Sequence, residues 1–298
     1  MIIISFGCGL GNQMFEYAFY LKMKEIYPDV QINGDIKYIL PQEHNGYELD
    51  KIFGIDIPEC SLKEAIRYSD RAPLKIKYLP INIIRFLFRK MGIKKKSAFV
   101  QKDRTEYYQD VFELDCKENY YLLGVWANEK YFMGLETKLQ NEIFLFPVDR
   151  LSEQSMKYKG LIDSSSYAVS IHARKGDYVQ CGNIVLNMLY YEKAMKLIET
   201  VQSDITYFVF SDDEEHVKEL FGHKENIIYV TGNKGQDSWM DMYLMTICKA
   251  NIIANSSFSF WGALLNKNKD KVVIAPNVPF KNCKNPFTCS EWITLDVV

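Results

Sequence analysis

The segment Ser170-Ile171-His172-Ala173-Arg174-Lys175-Gly176-Asp177-Tyr178 decides how this chain is read. Residues 167–171 have the composition of a buried strand, and they run straight into two adjacent cations, a glycine and a carboxylate. Open α/β sheets place their ligands where a strand ends in a glycine-containing loop. Arg174 and Lys175 at that point suit an anionic, phosphate-bearing ligand, because a guanidinium matches phosphate oxygens in a two-pronged way. An ordinary β-to-α turn with a surface ion pair has the same local sequence, so other segments must decide between the two.

Outward from that segment, the second half of the chain alternates in period. Strands are predicted at 167–171, 207–210, 227–230, 251–254 and 272–275, with helical patterns centred on 191–201, 214–221, 238–249 and 258–266. Such alternation with short connections argues for a parallel sheet covered on both faces. The first half opens with a strand at 2–6 and a glycine-rich turn. A helix to about Tyr27 follows, with Phe15, Ala18, Phe19 and Met23 at helical spacing. Further strands are predicted at 30–32 and 121–126, and a helix over 129–144. Residues 36–118 show weaker periodicity. The polar stretch 152–166, with its run of serines, is the expected boundary between two domains, 1–155 and 156–298.

The 298 residues are enough for two domains, and 48% hydrophobic with 25% charged residues is the balance of a globular protein. A net charge of −2 supplies no global basic field, which argues against nucleic acid as a partner. The first residues lack a basic leader and read as a strand, and no run approaches the roughly 20 apolar residues needed to span a bilayer. Seven cysteines without a C-x-x-C pair, Cys283 and Cys289 being the closest two, suit reduced packing thiols in the cytoplasm and no structural metal.

Three further segments carry chemistry. Gly7, Gly9 and Gly11 follow a strand and precede a helix, but Asn12 stands where the dinucleotide fingerprint needs Gly or Ala. Asp35, the candidate ribose acid, falls past the expected second strand. Phe210-Ser211-Asp212-Asp213-Glu214-Glu215 places acids at a strand end that opens a helix. Glu214 and Glu215 serve the helix dipole, while Asp212 could accept hydrogen bonds from a base or sugar. Asn255-Ser256-Ser257-Phe258 ends a strand and begins a helix at once, so hydroxyls and free N–H groups meet at a helix N-terminus, a ready anion site.

In this order, Gly9-Leu10-Gly11-Asn12-Gln13-Met14-Phe15 with Tyr17-Ala18, the His172–Tyr178 motif, Phe210-Ser211-Asp212-Asp213, and the block from Asp241 to Trp261 resemble the α1,2-fucosyltransferase family of bacteria and animals. The resemblance implies an α/β, GT-B-type fold of two facing Rossmann-like domains with parallel sheets, acceptor-side first and GDP-fucose-binding second. It implies inverting transfer of L-fucose from GDP-fucose to the 2-hydroxyl of a terminal galactose, on an oligosaccharide or a lipid-linked glycan, with no metal and no cofactor. Arg174 matches the arginine that holds the β-phosphate, and His172 and Asp241 match positions near the guanosine. Asn255, Ser256, Ser257 and Phe258 match the turn around the diphosphate and sugar, and Asn12 an amide facing the donor. The family has a second arginine where this chain has Lys175, which keeps the charge and loses the two-pronged geometry. Asp177 is the nearest carboxylate for a general base, or a brace for Arg174. A fucosyltransferase of other linkage, such as α1,6, a silent glycan- or nucleotide-binding protein and a nicotinamide oxidoreductase remain the competing readings.

One local bias stands against the neutral total. Residues 71–102 hold ten Lys and Arg and no Asp or Glu. Ile81, Ile84, Phe88 and Met91 fall on one helical face, with Arg85 and Arg89 away from it. A basic amphipathic helix of this kind lies on an anionic membrane surface, placing the enzyme at the inner face. The alternative is a helix docked on its own domain by the apolar face, with the basic side solvated.

Overall fold

The computed structural model describes residues 1–40, 44–103, 106–176, 178, 184–278 and 285–297. The chain divides after Leu135 into two compact units, Met1–Leu135 and Glu136–Val298.

The first unit is built on a four-stranded parallel sheet, ordered β2-β1-β4-β3. Its strands are β1 (Ile2–Ser5), β2 (Ile32–Asp35), β3 (Ala98–Val100) and β4 (Tyr120–Leu123). Helix α1 (Leu10–Ile26) buries Phe15, Ala18, Phe19 and Met23, the face predicted from spacing. Phe19 stacks on Trp126 with ring centres 4.3 Å apart. Three helices, α2 (Leu49–Phe53), α3 (Leu62–Tyr68) and α4 (Leu79–Lys90), occupy the long connection from β2 to β3. Two expectations are corrected here. The second strand is 32–35 rather than 30–32, because Ile-Asn-Gly-Asp is drawn into the sheet by its register with β1, Ile2 opposite Ile32 through Ser5 opposite Asp35. The helix predicted over 129–144 is broken in two: Glu129–Tyr131 forms a single turn, Gly134 takes φ +89°, and a helical stretch resumes from Glu136 to Ile143.

The second unit opens with the helical turn α5 (Glu136–Lys138) and then α6 (Glu153–Ser164). Its six strands are all parallel and ordered β10-β9-β8-β5-β6-β7. They are β5 (Tyr167–Ala173), β6 (Ile205–Ser211), β7 (Ile227–Val230), β8 (Ala250–Ile252), β9 (Val272–Asn277) and β10 (Ile293–Asp296). Helices α7 (Met188–Glu199), α8 (Glu214–Phe221), α9 (Trp239–Thr246) and α10 (Ser257–Leu264) alternate with them. Val169, Ile171, Tyr207, Val209, Ile252 and Ile274 lie in the core between sheet and helices. Buried Asn251 donates to Ser170 Oγ at 2.7 Å and to Met245 O at 2.8 Å, and accepts from Asn266 at 2.8 Å, which locks β8 beside β5. Left unpaired, such a buried amide would cost about 1–3 kcal/mol.

The stretch expected to join the domains is a helix instead. Ser152 caps α6 by accepting from Ser155 N–H, and Tyr158 donates to Tyr229 O at 3.2 Å. Upstream, Gln140 donates to Asn266 O at 2.9 Å, and Phe144 packs edge-on against Trp261. Residues 136–155 thus belong with the second sheet, and the break falls well before the 155/156 division read from the serines.

Candidate functional site

The chain leaves β5 outward through β6 and β7, then returns to lay β8, β9 and β10 on the other side. The order therefore reverses between β5 and β8, and the crevice beyond their carboxyl ends is where open α/β sheets bind ligands. Both segments singled out from the sequence open onto that point: Arg174-Lys175 after β5, and Asn255-Ser256-Ser257 after β8.

Register explains how the cations are held. Ala173 sits opposite Ser211, so the next residues of β5 and β6, Arg174 and Asp212, face each other. Asp212 Oδ2 meets Arg174 Nε at 3.2 Å, and its Oδ1 accepts from Lys175 N–H at 3.1 Å. Lys175 Nζ stands 3.5 Å from Asp213, whose carboxyl caps α8. The His216 N–H bond, followed by Lys175, holds the Asp213 carboxyl below its ordinary range. Asp212 thus braces Arg174, while Asp177, read from the sequence as a general base or a brace, lies outside the described residues. A side chain at Gly176 would meet the Asp212 carboxylate and force it to shift, so glycine leaves room for the ion pair as it stands.

The second loop is tied to the first. Tyr178 donates to Asn255 O at 2.7 Å, and its ring lies 5.7 Å from the Arg174 guanidinium carbon. Ser256 caps α10 by accepting from Phe258 N–H, and buried Ser259 accepts from Ala254 N–H beneath it. Ser257 and Phe258 are half-buried. His172, the second-last residue of β5, is fully enclosed, with its ring 5.7 Å from that of Phe258. Burial, then the Arg174 charge, pushes its pKa down to about 3, so the imidazole stays neutral. His172 Nδ1 and Asn255 Oδ1 are buried and make no hydrogen bond to the described residues.

Asp241 stands apart, at the start of α9. Asn233, on the loop after β7, donates to it at 2.7 Å and in turn accepts from Ser155 Oγ at 2.9 Å. Burial lifts the Asp241 carboxyl from 3.8 to about 7, the Asn233 bond opposing and Glu214 adding. With strands about 4.8 Å apart, the end of β7 is roughly 10 Å from the end of β5.

In the first unit the glycine turn is closed by its own chain. Gly7 N–H donates to Glu16 at 2.9 Å, and Cys8 takes φ +60°. Gln13 donates to Cys8 O at 2.9 Å and Gly46 O at 2.7 Å, and accepts from Glu48 N–H at 2.8 Å. The loop over the turn thereby places His44 within 3.4 Å of where a Gly9 side chain would be. Asp35 accepts from Tyr121 at 2.7 Å and from the N–H groups of Lys37, Tyr38 and Ile39, so it serves its own loop and not a ribose. Asn12 is half-buried in the first turn of α1.

A family model described as glycosyl transferase family 11 matches residues 1–296. The chain belongs to glycosyl transferase family 11. Among curated relatives, the O-antigen biosynthesis glycosyltransferase WbnK of Escherichia coli is 30% identical, over 96% of this chain and 98% of its own. The alpha-1,2-colitosyltransferase of E. coli is 29% identical over 99% of both. The human galactoside alpha-(1,2)-fucosyltransferase 1 is 25% identical, over 96% of this chain and 72% of its own. In fold, the NodZ alpha-1,6-fucosyltransferase co-crystallised with GDP aligns with a TM-score of 0.50 at 14% identity, covering 88% of this chain and 91% of that one. The two parallel sheets are those of a GT-B-type fold, as the motifs led one to expect.

Sequence reading missed Asn233, Asp212 as a partner of Arg174, and the tyrosines under the loops. Tyr191 donates to His172 O at 3.1 Å and Tyr190 to Ile253 O at 2.7 Å, fixing both strand ends. Gly232-Asn233 just past a strand was the one available signal, and it is a weak one.

Proposed function

We propose that this family 11 member transfers L-fucose from GDP-fucose to the 2-hydroxyl of a terminal galactose, with inversion and without a metal. The observation that carries the reading is the pair Arg174 and Lys175, braced by Asp212 and Asp213, at the switch point beside the Ser256 cap. In the reaction the bond from fucose C1 to the β-phosphate oxygen breaks, and its electron pair goes to the diphosphate. The galactose oxygen bonds to C1 from the opposite face and loses its proton to solvent or to a base. The ring passes through an oxocarbenium-like state, so the developing diphosphate charge is what the protein must stabilise. Preorganised donors do so without reorganising during the reaction. Arg174, Lys175 and the N–H groups of the Ser256-Ser257 turn take that role.

In this reading the neutral His172 and the unpartnered Asn255 Oδ1 take hydrogen bonds from the nucleotide sugar, and the Asp241 carboxylate accepts from the N–H groups of guanine. Asn12 keeps the role that the resemblance gives it, and Asp177 stands as the candidate base. One observation favours a second reading of the sugar: the alpha-1,2-colitosyltransferase relative matches nearly end to end. The test is a mass-spectrometric transfer assay with GDP-fucose or GDP-colitose, lactose and excess EDTA. Fucose on the galactose 2-hydroxyl supports the proposal. Transfer of colitose alone selects the second reading, and loss of transfer in EDTA overturns the metal-free step.

A further inference from the structure

The basic segment is organised the opposite way from the docked helix that its composition suggested. The polar residues of α4 face the protein. Asn82 accepts from Ala72 N–H at 2.9 Å and donates to Ala72 O at 3.2 Å. Arg85 donates to Ile66 O at 2.6 Å and also to Arg71 O, and Arg89 donates to Asp70 O at 2.7 Å. Burial of Arg85 lowers its pKa, as expected of a guanidinium turned inward. The arginines thus serve the carbonyls where α3 and the following loop end, a use of cations at a helix C-terminus.

With that side committed, the apolar side has no cover. None of the residues of α4 is buried. Ile83, Ile84, Leu87 and Met91, opposite the arginines, are each half exposed or more, and the flanking Phe86 and Phe88 are 49% and 46% exposed. Before the helix, Leu74 and Ile76 are 81% and 91% exposed. Isolated exposed apolar residues are ordinary, but a continuous run of this kind marks an interaction surface. Around it Arg71, Lys75, Lys77, Lys90, Lys94 and Lys96 are exposed, and residues 71–102 contain no acid. Lys77 lies 5.0 Å from the Tyr78 ring centre and Lys90 5.1 Å from that of Phe86, aliphatic stems along the apolar surface with the charge at its edge.

We propose that residues 74–93 dock on an anionic lipid surface, with the outer face of α4 at the level of the acyl chains and the lysine rim among the headgroups. Charge selects this occupant. A second copy placed on the same face would bring two cationic rims together, whereas an anionic leaflet neutralises the rim and takes up the apolar arc. A half-exposed helix with this division of residues is the kind that lies in a membrane interface. Among the described residues no helix is long and apolar enough to cross a membrane, so the contact is peripheral.

The test is flotation of the full chain with phosphatidylcholine vesicles, with and without phosphatidylglycerol, at low salt. It is read without catalysis, so failure of the transfer reading leaves it intact. The chain should float with the anionic vesicles, and the double variant Leu87→Asp, Met91→Asp should lose about tenfold or more in binding. Reversing the rim with Lys75→Glu, Lys77→Glu should remove the preference for anionic lipid. Unchanged thermal melting of both variants shows that the fold is kept, as half-exposed positions allow. No flotation of the parent, undiminished flotation of the Asp variant, or a vesicle-free dimer dissolved by that variant would each overturn the proposal.

Discussion

Asp241 carries a titration that two separate measurements can follow. Burial raises its carboxyl from 3.8 to about 7, against the Asn233 hydrogen bond and with a contribution from Glu214. An acid that holds its proton more tightly in the native state than in the unfolded chain stabilises the fold at low pH. It loses that contribution as pH rises through the native value. For Asp241 the loss runs from 3.8 to about 7 and is complete above it. At about 1.4 kcal/mol per pH unit, the deprotonated native state forfeits at most roughly 4 kcal/mol, a ceiling because water reaches part of the residue. Asp241→Asn has no such titration. In urea denaturation its stability should match or trail the parent near the acid end and exceed it by about 2–4 kcal/mol at the alkaline end. If the carboxylate accepts from guanine as proposed, guanosine binding should rise over that range. One pH unit below its pKa only about a tenth of the group is ionised, so binding there should be about tenfold weaker than above it. Calorimetry with guanosine, which lacks a titrating phosphate, isolates the effect. A stability difference that is flat with pH, together with a flat guanosine profile, would refute the reasoning.

Arg174→Ala should lower kcat/KM by about a thousandfold while melting is nearly unchanged, since a partly exposed ion pair contributes less than about 1 kcal/mol to the fold. Near-parent turnover would remove Arg174 from the chemistry. Gly176→Ala drives a methyl into the Asp212 carboxylate and should cost roughly tenfold to a hundredfold in transfer by misplacing the guanidinium. In the Arg174→Ala background the same change should cost little, and a double-mutant cycle reads the difference. Gln13→Ala removes three hydrogen bonds and should destabilise the chain by about 2–3 kcal/mol, visible as a lower urea midpoint.

The second unit was legible because its strands are short apolar runs separated by helices of clear period. The 227–230 strand and the 214–221 helix were placed to the residue. Where residue type and period parted, reading failed. β2 is Ile-Asn-Gly-Asp, a strand made by its neighbours and not by its own pattern. The serines at 164–166 look like a linker and in fact end a helix held by Tyr158. In the site, cations after β5 and hydroxyls after β8 could be read locally, since each lies on one continuous segment. The partner of Arg174 could not, because Asp212 reaches it only through the register of β5 with β6. The amphipathic pattern of α4 was visible, but which side faces inward depended on the carbonyls of α3, and composition holds no record of those.

The strand order β10-β9-β8-β5-β6-β7 also sets when the crevice comes into being. During synthesis β5, β6 and β7 emerge first and can pair Arg174 with Asp212 while the Ser256 cap is still untranslated. The other wall arrives only with β8, inserted against a strand already flanked on its opposite side. Asn251, reaching back to Ser170, is the latch of that late insertion. A nascent chain halted after β7 therefore displays paired charges with only one wall of the crevice. Separating the chain between β7 and α9 should yield two pieces that recover the proposed GDP-fucose binding only on reassociation.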